Sequence, residues 1–572
     1  MPNIVFILIR RIRLPLILLI CAYAISILGF VLIPGQDDEG NLWQMDFFHA
    51  FYFVSFMGTT IGFGEIPYAF TDAQRMWALF SIYTTVIAWL YGIGSLLSLL
   101  QEPAFRALMT ESGFRRALHR INEPFYLICG YGDTGSLLVR ALADAGIRSV
   151  VIDHSQHRIN SLELEDLLFV VPGLCADAAV PENLLKAGLK HKNCITVIAL
   201  TNSDHCNLKI SITAKLLQPK LLTIARAETH ETEANISSFG TEQVINPFDT
   251  FAGRLALALQ SPNMYLLFQW MTSVPNEALE KPTYTPKGIW ILCGFGRFGK
   301  AVYQRLVDAG LSVTVIEAAP EKTQAPTGTL IGVGTEARTL HDADILNAVG
   351  IVAATDDDAD NLSILMTAKQ LNPDLFSVAR QNFKENDEIF DAANADLIMK
   401  RGSIIAHKIF AFVTTPLIAK FLDLAKEKNN TWASELVARI YKIVSNHSPN
   451  RWTIEIKSIE APAISMAIAN NQRIPLHVFL RDPRNRKEHL ACLPLMLNRG
   501  RDNILLPDGS EILHKGDKLL FCGQASAKKH MEWVARNYNV LNYVLTGQEH
   551  SSNLLTHLLN KMKENSSPES HH

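Results

Sequence analysis

The 572-residue sequence predicts an α-helical module with two transmembrane spans, followed by a tandem pair of Rossmann-like α/β lobes. Three observations carry this expectation. Two long uncharged apolar stretches lie within the first hundred residues, a glycine-rich segment lies between them, and the remainder contains one strand–turn–helix–strand pattern twice. A chain of this length is expected to bury several hydrophobic cores rather than one.

The first stretch, Leu14 to Gly35, is 22 residues without a charge, enough to cross a hydrocarbon core of ~30 Å at ~1.5 Å per residue. The second runs from Met76 to Leu100 and is also uncharged. The first is not read as a cleaved signal peptide, because a second span follows. Arg10, Arg11 and Arg13 precede the first span and Arg106, Arg115, Arg116 and Arg120 follow the second, whereas Asp37, Asp38 and Glu39 lie between them. The positive-inside rule then places both termini in the cytoplasm of an inner (plasma) membrane protein. The net charge, 53 Lys and Arg against 56 Asp and Glu, gives no basic character that would suggest nucleic acid. Eight cysteines without a C-x-x-C pair fit buried free thiols in a reducing compartment, and support neither zinc nor a disulfide framework.

Between the spans, Met45 to Met57 (MDFFHAFYFVSFM) is aromatic and too short to cross, so it is expected to be a half-helix that enters the membrane and turns back. It leads into Thr59-Thr60-Ile61-Gly62-Phe63-Gly64. Glycine at alternate positions permits positive φ, so that successive carbonyls can point to one side. Irregular backbone at membrane depth persists only where protein buries it or where it lines a watery path.

This register of Thr, aliphatic, Gly, aromatic, Gly resembles the selectivity filter of two-transmembrane potassium channels, usually TVGYG. The resemblance implies a tetrameric pore module at residues 1–101, with spans near 14–35 and 76–100, a pore helix at 45–57 and a filter at 59–65. It also implies K⁺ held by the carbonyls of Thr60, Ile61, Gly62 and Phe63. Phe63 lacks the hydroxyl that commonly ties the filter to the pore helix, and Glu65 replaces the usual Asp. Thr84 and Thr85 stand where a hinge glycine is usual; Gly92 and Gly94 come later. The expectation is a bend or break near Gly92 to Ser95, with Leu96, Leu97 and Leu100 as an apolar constriction, or else close packing at small residues.

After a linker at 102–122, the segments Gly130 to Asp153 and Gly294 to Glu317 superimpose at a constant offset of 164, and Asn207 and Arg226 match Asn361 and Arg380 at an offset of 154. The second copy is therefore ten residues shorter in between. Each copy has a G-x-G-x-x-G after an expected strand and before an expected helix, with an acid 18 residues past the last glycine. That is the context a dinucleotide-binding fold requires. Gly130, Tyr131, Gly132, Asp133, Thr134 and Gly135, and Gly294, Phe295, Gly296, Arg297, Phe298 and Gly299, are the candidate phosphate loops. Asp153 and Glu317 are the candidate ribose acceptors, favouring NAD or an adenosine nucleotide over NADP, and Arg226 and Arg380 are further candidates. No substrate domain with a positioned acid and base follows either copy, so an enzyme is not expected. The apolar helices after each copy read as crossovers that pack lobes together.

These lobes resemble the regulator-of-potassium-conductance (RCK) domain, similar to TrkA-type N-terminal domains. The resemblance implies a first lobe at 123–285, a second at 287–425, a small α+β TrkA-C-like lobe at 430–525, and a helix and tail at 526–572. It implies a homotetramer with eight RCK lobes in a gating ring, and K⁺ conduction gated by NAD or an ADP/ATP-type nucleotide. Calcium-gated relatives carry carboxylates where this chain has Asp204 and Glu228, but Arg226 stands where another acid would complete the set, so a Ca²⁺ site and none remain alternatives. Two rivals are a membrane-anchored NAD-dependent oxidoreductase and a regulatory subunit of a potassium transporter.

Overall fold

The computed structural model describes residues 4–101, 103–274, 285–445 and 447–548. The chain forms two compact units, residues 1–120 and 121–572.

In the first unit, helices Ile4–Leu32 and Asp72–Gln101 each contain a segment apolar and long enough to cross a membrane, Ile12–Leu32 and Asp72–Ser98. They pack through small and aromatic residues. A Cβ on Gly29 would fall 1.9 Å from the Trp77 indole, so only glycine admits that ring. The two indole N–H groups are satisfied across the helix pair, Trp77 by the Ser26 carbonyl at 3.0 Å and Trp89 by the Tyr23 hydroxyl at 2.8 Å. Left unpaired in an apolar medium each would cost several kcal/mol. Between the long helices lies Phe47–Gly58, a 12-residue helix capped by Asp46, whose carboxylate accepts from the His49 N–H at 2.8 Å. Phe30, fully buried, contacts the ring of Phe53 on this short helix and that of Phe70, which lies just before the second long helix.

The break expected near Gly92 to Ser95 does not occur: one helix runs unbroken through Gly92 and Gly94 from Asp72 to Gln101. The physical reason is one of magnitude. Each glycine costs about 1 kcal/mol in a helix, whereas opening the ladder in lipid leaves amides that cost several kcal/mol each. No neighbouring atom lies within 4 Å of a Cβ built on either glycine, so close packing within the chain is not their role.

The second unit contains two six-stranded parallel sheets. In the first lobe the strands in chain order are Phe125–Cys129, Arg148–Asp153, Gly173–Cys175, Cys194–Ala199, Leu222–Arg226 and Gln243–Ile245. Their order across the sheet is 3-2-1-4-5-6. The second lobe repeats this with Ile289–Cys293, Ser312–Glu317, Leu330–Ile331, Gly350–Ala353, Phe376–Gln381 and Leu397–Lys400. The first strand of the first lobe is buried at every position because helices cover both faces. The crevice between strands 1 and 4, where strand order reverses, is where such sheets take ligands. The ten-residue difference falls mainly after the second strand, where helix Gln156–Leu164 in the first lobe corresponds to only Pro320–Thr323 in the second.

Each lobe lends its crossover helix to the other. Pro247–Gln260, from the first lobe, buries Phe248, Phe251, Ala252 and Leu255 against the second lobe's Phe298, Val302 and Leu306. Arg401–Thr414, from the second lobe, buries Ile405, Ile409 and Phe410 against the first lobe's Leu138, Val139 and Leu142. The latter helix and Leu417–Lys426 are together apolar enough to read as a broken membrane span, but their apolar faces are covered by protein. The exchange makes the two lobes one body with a local pseudo-twofold.

The C-terminal lobe is an antiparallel sheet of Asn450–Glu455, Lys518–Gly523, Cys492–Arg499 and Asp502–Leu505 in that order. It does not close at residue 525. Helices Ala525–Arg536 and Tyr538–Thr546 place Met531, Val534, Leu541 and Val544 in its core, so they are integral to it rather than appended. The expected tail from 549 onwards lies outside the described residues.

Candidate functional site

The glycine-rich segment after Phe47–Gly58 has left-handed backbone at alternate residues: φ is +61° at Thr60, +64° at Gly62 and +77° at Gly64. Its start is pinned to the short helix, since the Ile61 and Gly62 N–H groups both donate to the Phe56 carbonyl, at 3.0 and 3.3 Å. Thr59 Oγ1 donates to the Ser55 carbonyl at 2.8 Å. Among the described residues nothing donates to the carbonyls of Thr60, Ile61, Gly62 or Phe63. A left-handed Thr60 costs about 1–2 kcal/mol, the kind of strain retained where backbone direction matters. Ile61 and Phe63 are 69% and 71% exposed on the single chain, which leaves two apolar side chains in need of cover.

In the lobes, both glycine loops have the form expected of phosphate loops. Gly130 and Gly294 have φ of +107° and +98°. A Cβ on Gly135 would lie 2.1 Å from the Gly130 carbonyl oxygen, and one on Gly299 equally close to that of Gly294. Gly132 and Gly296 begin helices Asp133–Asp144 and Arg297–Asp308, whose first amides are free to meet an anion. The acids do more than wait for a ribose. Asp153 accepts from the Tyr131 N–H at 2.6 Å and the Ser155 N–H at 2.8 Å. Glu317 does the same with Phe295 at 2.6 Å and Ala319 at 3.0 Å. Each acid thus clamps its glycine loop to the end of the second strand, while each oxygen retains acceptor capacity.

The two loops differ in what surrounds them. Arg158 lies 3.7 Å from a Cβ built on Gly132 and 3.5 Å from Asp153, so a guanidinium covers the first loop. A Cβ on Gly296 would meet nothing within 4 Å, so the second loop is open. Asp133, at the helix start, has its pKa raised by burial and by the Glu385 charge; Arg297 occupies the matching position in the second lobe.

Two residues that the duplication marked, Asn207 and Asn361, prove to be clamps. Asn207 Oδ1 accepts from the Thr201 N–H and hydroxyl, and its Nδ2 donates to the Thr201 and Arg226 carbonyls, all within 3.0 Å. Asn361 repeats this with Thr355 and Arg380. They fix Arg226 and Arg380 at the ends of the fifth strands.

The expected Asp204–Glu228 cation site is not assembled. The Asp204 carboxylate accepts from the backbone N–H groups of Glu228 and Thr229, at 3.0–3.1 Å. Glu228 is instead gripped by three guanidiniums: Arg226, Arg401 at 3.0 Å and Arg297 at 2.8 Å. Burial pushes the Glu228 pKa up, but Arg226, Arg401 and Arg297 outweigh it and hold the carboxyl below its ordinary range. A carboxylate already ion-paired three times has little left for Ca²⁺. Among the described residues, a cluster that does have metal-ligand spacing is His230, Glu233 and Asp249, whose ligand atoms lie within 4.8 Å of one another. Sequence reasoning missed Arg401, Arg158 and Tyr52; the first two have no counterpart in the motif, and only the exchanged crossover helix brings Arg401 to the site.

Comparison with known proteins agrees with this division. Residues 16–102 match the ion channel family, and residues 126–247 and 290–400 match the TrkA-N domain. The chain joins an ion-channel domain to two TrkA-N domains. Its relatives include potassium channel protein 1 of Methanocaldococcus jannaschii, 29% identical over 36% of this chain and 59% of that one. The Trk system potassium uptake protein TrkA homolog of Pyrococcus abyssi is 30% identical over 22% of this chain and 60% of that one. An uncharacterized protein of Methanothermus fervidus is 26% identical over 45% of this chain and 40% of its own length. The chain therefore spans between two fifths and three fifths of these relatives. Among solved structures, the GsuK channel aligns over 95% of this chain and all of that one, at 16% identity and a TM-score of 0.47. GsuK bound to NAD aligns over 92% and 98%, at 17% identity and a TM-score of 0.43. The matched domain content is that of an ion channel joined to two TrkA-N domains.

Proposed function

We propose that this chain is a potassium-selective channel gated by an adenine nucleotide of the NAD or ADP type at its TrkA-N lobes. The observation that carries the conducting half is the alternation of left-handed backbone at Thr60, Gly62 and Gly64. It leaves the carbonyls of residues 60–63 without internal donors, as ligands that replace a hydration shell must be. Four copies around one axis complete the filter, and they also cover Ile61 and Phe63. The ring then contains eight lobes. Both termini are cytoplasmic, in keeping with the arginines flanking the two spans. Leu96 and Leu97, at the far end of the second long helix from the filter, form the apolar constriction; Leu100, the third candidate, has a side chain outside the described set.

The nucleotide sits over Gly130 to Gly135, Gly294 to Gly299, or both, with phosphate on the helix starts and ribose against Asp153 or Glu317. The open loop at Gly296 and its arginines favour the second lobe. By binding one arrangement of the lobes more tightly, the ligand shifts the pore by no more than its differential affinity. Single-channel recording in bilayers, with NAD, ADP and Ca²⁺ added separately to the cytosolic side, tests this. A change in open probability with NAD or ADP is expected. Potassium currents indifferent to both would remove the gating half, and currents equal for Na⁺ and K⁺ would remove the conducting half.

A further inference from the structure

Four arginines converge where the two lobes meet, and three of them share one carboxylate. Arg226 ends the fifth strand of the first lobe, Arg380 is the last residue but one of that of the second, Arg297 opens the helix after the second glycine loop, and Arg401 opens the exchanged crossover helix. Glu228 takes three of them. Arg380 is left over. It is 7% exposed and lies 5.2 Å from the centroid of the Phe248 ring, and among the described residues no carbonyl or carboxylate accepts from it. Ring stacking engages the face of a guanidinium and leaves its N–H donors unused. Asp356 and Asp133 are close enough to act on these arginines electrostatically, but neither bonds to them. Burial and the Arg401 charge push the Arg380 pKa down to about 10, as expected of a cation without its anion.

We propose that this junction is a binding site for a phosphate-class dianion, held by Arg226, Arg297, Arg380 and Arg401, with Glu228 as the resident counter-ion that the ligand displaces or joins. Four forks present far more donors than two carboxylate oxygens accept, whereas a phosphoryl group offers three or four oxygens and a second negative charge. The start of helix Arg297–Asp308 adds its positive end. Arg297 is 55% exposed at its side chain, which gives a ligand a way in.

The pseudo-twofold supplies an internal comparison. At the related position, Asp133 replaces Arg297, Pro247 replaces Arg401 and Asn382 replaces Glu228. There Asn382 donates to Asp358 at 2.9 Å, and the charges acting on Asp133 are those of Glu385, Lys384, Arg401 and Arg158, none of them in an ion pair with it among the described residues. One half of a duplicated structure has gathered guanidiniums and the other has not. The phosphoryl group can be free phosphate or part of a nucleotide; in the second case the proposal rests on the nucleotide reading above and assigns it to the second lobe.

The test uses full-length protein in detergent at constant ionic strength. Saturable binding of inorganic phosphate, ADP and adenosine is measured for wild type, Glu228→Gln and Arg380→Gln, with Arg380→Lys as the variant that keeps the buried charge. Phosphate is expected to bind at least about tenfold more tightly to E228Q and about tenfold more weakly to R380Q, with R380K also weakened because a fork is lost. Equal phosphate affinity in wild type and both Arg380 variants would overturn the proposal, as would no saturable phosphate binding in wild type and E228Q. ADP and phosphate binding that both ignore Arg380 would leave the nucleotide reading standing and this one fallen. Phosphate binding that follows Arg380, without any ADP or NAD binding, would do the reverse.

Discussion

The Tyr52 hydroxyl donates to Glu65 Oε2 across 3.2 Å, joining the short helix Phe47–Gly58 to the residue that follows the left-handed segment. This bond spans the place where Phe63 has no hydroxyl to offer. It is a second way of tying the filter to its helix, moved from the aromatic residue inside the filter to an aromatic residue on the helix.

Tyr52→Phe and Glu65→Gln should each loosen the filter. A hydrogen bond of about 0.5–1.5 kcal/mol corresponds to a two- to tenfold change in the ratio of conducting to collapsed filters. The expected outcome in bi-ionic recordings is a lower K⁺ over Na⁺ permeability ratio or faster loss of current. The double variant should add little to either single one, because both remove the same bond.

Gly135→Ala and Gly299→Ala should each disrupt their phosphate loop, since the new Cβ falls 2.1 Å from a backbone oxygen that has no room to retreat. The strain should cost several kcal/mol, within the range of overpacked cores. Nucleotide-induced thermal stabilisation should disappear from whichever lobe carries the ligand, so the pair also reports which lobe that is.

Asn207→Leu and Asn361→Leu each remove four hydrogen bonds at a fully buried position. The stranded Thr and Arg carbonyls should lower stability by about 2–4 kcal/mol. Urea unfolding followed by tryptophan fluorescence measures it, and wild-type stability in either variant would contradict the clamp.

Lys408 is half-buried in the exchanged crossover helix, and desolvation, with Arg254 and Lys426 nearby, brings its pKa down to about 8. A depressed lysine pKa means that the unfolded chain binds more protons than the folded one between about pH 8 and 10.5. Stability should therefore rise with pH across that window and be lowest below it. Lys408→Met should raise the Tm at pH 7 and flatten the rise, as read from melting curves at pH 7 and 10.

The duplication at Gly130 and Gly294, with acids 18 residues on, made both sheets and their loops legible, because the turn, the close helix approach and the second strand each demand a particular residue type. The left-handed backbone at Gly62 and Gly64 was legible for the same reason, whereas the left-handed Thr60 between the short helix and those glycines was not. What was not legible was whatever depends on tertiary partners. Gly92 and Gly94 suggested a break, yet the continuous amide ladder outweighs their weak propensity. Glu228 suggested a metal ligand, yet the exchange of crossover helices brings Arg401 and Arg297 from 173 and 69 residues away in sequence, and no local spacing announces such a meeting. Arg380 stood in the sequence as half of a matched pair, while its lack of a partner emerged only from its burial.

Potassium-selective conduction is put to the test by ⁸⁶Rb⁺ uptake into liposomes holding purified full-length protein, alongside Gly62→Ala. Uptake driven by a K⁺ gradient is expected, with little competition from external Na⁺ and loss of flux in the variant with assembly unchanged. Equal competition by Na⁺, or selective flux that persists in Gly62→Ala, would contradict it.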